Sequence, residues 1–392
     1  MSLRYLPLLC SLASAAHLYA THYSGSVYTL SLDGHSLSIA SSVDGCGPMP
    51  SWLTLDPESN LVYCSDESGD ASSNGSLHSL AIGEDGSLSE VAKTGAAPGG
   101  GVYSVVYSGD NGAKYLAIAH YGGSALSTFS LPLKEDEDTL QVFHYKLDKP
   151  GAKPQQDASH PHQVILDPTG SFILSPDLGA DKIRVYAIDK SSGALTDCPA
   201  VEFPAGSGPR HGLFWDAENA QLRFQRRADS QTMLYTVNEL DGHFTAFAVS
   251  YPPDGCLSIK KTQSFVPYPG SELPEGATLS GIQMEGSSLY VSIRSDHAHP
   301  PNDSMVTLDR SLNGTVKYRD FCSSYGTVPR TFVINKAGDL VAIGNQASST
   351  VAIVARDPKS GKLGDEVANI QVGEPGKVGT AEGLSSIIWG EE

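Results

Sequence analysis

The sequence predicts an all-β protein: a seven-bladed β-propeller with four antiparallel strands per blade, its ring closed by N- and C-terminal strands that share the last blade. Three observations predict it. First, one phrase recurs along the chain: a short apolar strand, a turn, then a second strand ending in small or polar residues. Four short antiparallel strands repeating at about 50 residues are the mark of propeller blades. Second, 40 Gly and 24 Pro against 8% aromatic residues suit turns and short strands, not a helical bundle. Third, the two ends of the chain carry fragments of one further copy.

The chain opens with MSLRYLPLLCSLASAA. Arg4 precedes the apolar Leu6–Ala13, and small residues follow, which is the pattern of a secretory leader with cleavage near Ala15 or Ala16. A buried first strand is the alternative, disfavoured by Pro7 and the placement of the charge. The expectation is a leader over 1–16 and a single propeller over 17–392, secreted to the extracellular side. Asn74, Asn302 and Asn313 each open an N-glycosylation triplet, which gains weight in a secreted chain.

The six full copies begin at Pro50, Gly101, His160, Gly208, Leu279 and Val328. Third strands such as Ile183–Asp189, His243–Val249 and Thr350–Arg356 follow, each leading through a turn to a more polar fourth. Ser385–Trp389 is expected as an innermost strand, with His17–Leu32 supplying the second and third strands of the same blade. Closure of this kind removes open sheet edges. A pair of β-sandwiches does not match the period. A WD-repeat scaffold is disfavoured, because the one Trp-Asp pair, Trp215-Asp216, closes an innermost strand and does not recur.

The formal net charge is −18, from 26 Lys+Arg against 44 Asp+Glu, and hydrophobic residues make up 40%. Such a chain folds around a core. Its acidity argues against a nucleic-acid partner, which needs cationic neutralisation of phosphates. No internal apolar run reaches the ~18 residues of a membrane span. Without Cys10 in the leader, five cysteines remain, enough for at most two intrachain disulfides. No Cys-x-x-Cys spacing and no rich ring of Asp, Asn and Glu points to a metal or cofactor.

In a propeller, residues opening the first strand and closing the second meet at one rim of the channel. Strand-one openings give His160, His162, Arg210, His211 and Arg330. Strand-two endings give Asp66, His120, Asp177, Asn238, Glu239, Arg294 and Asn345–Gln346. Only 11 Arg occur in the chain, yet Arg210, Arg294 and Arg330 fall here, focusing positive potential into a pit suited to an anionic or oxyanion-forming ligand. Arg223, Arg226 and Arg227 belong to an inserted turn facing the other way. His160 and His211 read as residues that satisfy strand ends. His162, Arg210, Glu239 and Arg294 together read as a base, two cationic donors and a carboxylate converging on one pocket.

Four motifs carry a resemblance: His160-Pro161-His162-Gln163, Gly208-Pro209-Arg210-His211, Asn238-Glu239-Leu240 and Pro329-Arg330. In this order they resemble the lactonase family of seven-bladed propellers, which includes bacterial-type 6-phosphogluconolactonase and the fungal 3-carboxy-cis,cis-muconate cyclase. The resemblance implies metal-independent chemistry on a small anionic lactone or its open carboxylate. By position it implies a catalytic set of His162, Arg210, Glu239 and Arg294. His160, His211, Asn238, Arg330 and Gln346 are the expected substrate-binding residues. The expected reaction is hydrolysis of a sugar-acid or related lactone; alternatives are a cycloisomerase and a non-catalytic acid- or sugar-binding propeller. His162 is expected as the base because free imidazole titrates near neutral pH, with Glu239 orienting His162 or an Arg, or shuttling a proton. The leader and the stretch His297–Asp303 beside Arg294 depart from the family pattern.

Overall fold

The computed structural model describes residues 15–216, 232–253 and 255–391. The first fourteen residues of the expected leader and Arg223, Arg226 and Arg227 lie outside the described residues. The sheets are seven, each of four antiparallel strands, and the described residues contain three short 3-10 turns and no α-helix. Blades 1 to 6 occupy 50–94, 101–144, 165–202, 209–265, 278–323 and 329–371. Blade 7 orders its strands as Leu384–Trp389, Ala16–His22, Val27–Asp33 and Ser36–Val43. Both ends of the chain therefore meet in one sheet, as the terminal fragments predict.

The core is divided by the same geometry. Each blade is apolar on both faces of its inner strands, so burial occurs between blades rather than within one. Seven apolar clusters result, and each joins two neighbouring blades. One of them packs Leu18, Leu30 and Trp389 of blade 7 on Ala342 and Ile353 of blade 6. Another packs Tyr19 and Val27 of blade 7 on Leu53 and Val62 of blade 1. Seven interfaces among seven blades close the ring.

A register break near the start of the innermost strands positions the site. In blade 4 Pro209 pairs with Asn238 and His211 with Val237, leaving Arg210 without an opposite residue. Blades 1, 2, 5, 6 and 7 repeat the shift, at Ser51, Val102, Ser280–Gly281, Arg330 and Ser385. In blade 3 the bridge Pro161–Asp177 and the pair Ile165–Leu174 are one step out of register in the same sense, next to His162. An extra residue in one strand of a pair bends the strand and re-aims its side chain. The disulfides are Cys46–Cys64 and Cys198–Cys256, leaving Cys322 as a thiol.

Candidate active site

The bulge residues form one ring, and a second ring lies above it. Glu67, Tyr121, Leu178, Glu239, Gln346 and Tyr23 each follow the second strand of a blade. Each donates its backbone N–H to the carbonyl of the residue that precedes or opens the adjacent first strand, at 2.7–3.0 Å. Arg294, paired with Thr278, holds the same place in blade 5. The local sequence enforces this geometry in blade 4. Gly208 has φ +59° and a Cβ there would meet Leu240 Cγ at 2.4 Å, so the turn that delivers Pro209 and Arg210 requires glycine.

Glu239 joins the two rings. Its Oε2 lies 2.7 Å from Arg210 Nε and 2.6 Å from Arg294 Nη2, so one carboxylate oxygen bridges two guanidiniums. Both contacts are ion pairs through the same oxygen, and Arg294 Nε has no hydrogen-bond partner among the described residues. Arg210 is 1% exposed and is fixed by donation from Nη1 to Ser280 O at 2.9 Å. Burial and then the neighbouring Arg294 pull its pKa down to about 9. Burial would raise the Glu239 pKa, but Arg294 and Arg210 outweigh it and hold the carboxyl below its usual range.

His162 sits beside this group. Its ring is 5.2 Å from that of His211 and 5.6 Å from that of Tyr121, both edge-on, and its Nδ1 is buried without a partner. Burial, followed by the Arg210 charge, holds its pKa well below the usual imidazole value, and His211 is held down in the same way. This corrects the expectation of a base titrating near neutral pH: both imidazoles are neutral there. The ion-pair partners of Glu239 are the two guanidiniums of Arg210 and Arg294.

Arg330 lies on the other side of the pit. Nε donates to Ser385 O at 3.2 Å and Nη2 lies 3.3 Å from Glu67 Oε2. That same oxygen accepts from Tyr23 OH at 2.6 Å and from Ser51 Oγ at 2.5 Å. His211 packs against Trp52 and Tyr103, themselves stacked at 3.8 Å. These aromatic rings roof the central channel, a cavity of about 630 Å³ that runs down to Asp216 and Trp389. Arg210, Arg294, Arg330, Glu67 and Glu239 are not among the residues that line this channel.

Other expected binding residues are committed elsewhere. His160 stacks on Tyr121 at 4.1 Å and uses both ring nitrogens, on Tyr121 O and Asp157 Oδ1. Asn238 gives its amide to Asp241 within the turn that follows. Gln346 gives its amide to Thr380 O and Glu382 O, anchoring the segment that leads into the closing strand. Sequence reasoning missed Glu67, Tyr23, Ser51, Tyr121, Trp52 and Tyr103. One signal was available: Glu67 follows Asp66 as Glu239 follows Asn238. The stretch His297–Asp303 does lie on the Arg294 side, pinned by Asp303 to His297 N and Val328 N. Among the described residues no group of three His, Cys, Asp or Glu side chains is placed to hold a metal ion.

Comparison with known proteins agrees with this architecture. A family model described as "Lactonase, 7-bladed beta-propeller" matches residues 17–380. An Arthroderma benhamiae protein named "Probable 6-phosphogluconolactonase" is 28% identical over 334 residues, covering 83% of this chain and 78% of that one. A Formosa agariphila 6-phosphogluconolactonase is 26% identical over 258 residues, 65% of this chain and 67% of that one. Among solved structures, a Pseudomonas aeruginosa periplasmic gluconolactonase superposes with a TM-score of 0.74 at 24% identity, covering 96% of this chain and 99% of that one; this similarity concerns the fold. The seven blades, the motifs on consecutive innermost strands and the family match agree: the chain belongs to the lactonase family of seven-bladed β-propellers.

Proposed function

We propose that the chain hydrolyses a sugar-acid or related lactone without a metal ion, at the pit formed by His162, Arg210, Glu239 and Arg294. One observation carries the reading: two guanidiniums converge on a single carboxylate oxygen beside a buried imidazole whose Nδ1 has no hydrogen-bond partner among the described residues. Lactone hydrolysis needs an activated water, stabilisation of the tetrahedral oxyanion and a proton for the departing alkoxide. Arg210 and Arg294 supply preorganised donors for the oxyanion, and Glu239 keeps them from splaying apart. His162 accepts the proton of water as the water oxygen attacks the carbonyl carbon. With its pKa held low, His162 is a weak base but its imidazolium is a strong acid, which suits proton return to the alkoxide as the ring C–O bond breaks.

His162→Ala and Arg210→Ala should each lower turnover by roughly 100-fold or more while leaving the far-ultraviolet dichroism unchanged. A pH-stat assay across aldonolactones measures this, with and without chelator. Unchanged rates in both variants refute the assignment, and loss of rate with chelator refutes the metal independence. Loss of ultraviolet absorbance from a carboxylated muconate, with no lactone hydrolysis, would favour the cycloisomerase instead.

The leader and the sequons support an exported protein. The strand Ala16–His22 begins where the leader would end, and Asn74 and Asn313 are exposed. N-terminal sequencing of protein from a culture medium should begin near Ala16; an intact Met1 on the exported form overturns the reading.

A further inference from the structure

The pit does not present its three arginines as free cations. Glu239 is shared by Arg210 and Arg294, and Glu67 lies against Arg330. His162 and His211 are neutral, their pKa values held well below the ordinary range by burial and by Arg210. Three guanidiniums against two carboxylates leave one net positive charge. Asp157, at the edge beside His160 and 75% exposed, adds no cation.

One charge matches one kind of reaction coordinate. A neutral, unphosphorylated aldonolactone acquires a single negative charge in the tetrahedral oxyanion and keeps it in the aldonate product. A 6-phosphorylated lactone begins with roughly two negative charges near neutral pH and ends with about three. Proteins meet a phosphate dianion with unpaired Arg or Lys, or with a helix N-terminus. The described residues contain no α-helix, and each arginine of the pit already has a carboxylate neighbour.

Glu67 decides this balance. Its Oε2 is held by Tyr23 and Ser51 as well as by Arg330, so donors from blades 7, 1 and 6 fix it in place. A carboxylate used only to tie strand ends would not need to be spent on the one arginine that Glu239 does not pair. We propose that Glu67 is a specificity-determining residue that neutralises Arg330 and so selects unphosphorylated aldonolactones over their 6-phosphates. The proposal rests on the lactonase reading for its substrate class.

The test is equilibrium binding of gluconate and of 6-phosphogluconate at pH 8, by calorimetry, alongside hydrolysis of the two corresponding lactones. The wild type should bind gluconate more tightly. Glu67→Gln, which raises the net charge of the pit by one, should move the preference toward 6-phosphogluconate by about tenfold. Glu67→Asp, which keeps the charge, should leave the preference close to wild type. Wild-type protein that binds 6-phosphogluconate as tightly as gluconate, or that binds gluconate not at all, overturns the proposal whether or not the variants fold. A preference unmoved in folded Glu67→Gln overturns it too. Binding needs no turnover, so absent hydrolysis with the expected preference would sink the lactonase reading and leave the charge selection standing.

Discussion

Arg210 is almost wholly buried, and its charge is tolerable only because Glu239 lies 2.7 Å away and Ser280 O accepts from its other end. Removing one partner of such a pair leaves a buried charge uncompensated, at a cost of about 3 kcal/mol. Glu239→Gln should therefore lower the unfolding free energy by about that amount, since Arg294 loses the same partner. A ligand that restores the missing negative charge should reverse part of the loss, because binding to the native state alone stabilises it by mass action. Thermal melts of Glu239→Gln with and without gluconate measure both effects. A melting temperature equal to that of the wild type would show that the carboxylate does not hold the two guanidiniums.

The strand is the scale at which the sequence was most and least informative. Strand existence and blade order were legible because apolar residues and turn residues alternate at a steady period, and closure followed from what the six copies left over. The face of each rim residue was legible only in part. Side chains alternate along a strand, so an error of one residue reverses the face. In blades 4 and 5 the polar run reached Glu239 and Arg294, which do face the pit. In blades 1 and 2 the same reasoning stopped at Asp66 and His120, one residue short of Glu67 and Tyr121. Asp66 instead accepts from Met49 N and Ser68 N, as a strand-end residue does. The bulge was invisible for a related reason: it is a property of pairing, and no single strand records it. Once present, it links the blades. Arg210 donates to Ser280 O, Ser280 Oγ to Arg330 O, Arg330 Nε to Ser385 O and Ser385 Oγ to Pro50 O. Four successive inter-blade bonds at the bulges thus set the positions of Arg210 and Arg330 through neighbouring blades. The sequence motifs marked these arginines without revealing that their partners lie one blade further on.

For the whole molecule, the cost of placing imidazoles in and near the channel should be visible in stability. His162 and His211 have pKa values held well below the ordinary range, and burial takes that of His120 down to about 3. In the unfolded chain these groups titrate near the ordinary value of about 6.5. Below that pH the unfolded state binds protons that the folded state refuses, so stability rises with pH until about 6.5 and is level above it. Each such group contributes a slope of about 1.4 kcal/mol per pH unit. The three together should weaken the fold by about 4 kcal/mol between pH 7.5 and 5.5, a window above the range in which paired carboxylates protonate. Glu239, its pKa lowered, adds a loss of the same sign only below about pH 4.5. Denaturant midpoints at pH 7.5, 6.5 and 5.5 measure the slope, and His120→Gln, which removes one of the three groups away from the arginines, should reduce it by about a third. A flat profile from pH 7.5 to 5.5 would mean that the folded ring accepts protons at these positions, and with them a pit more positive than the one that selects a single negative charge.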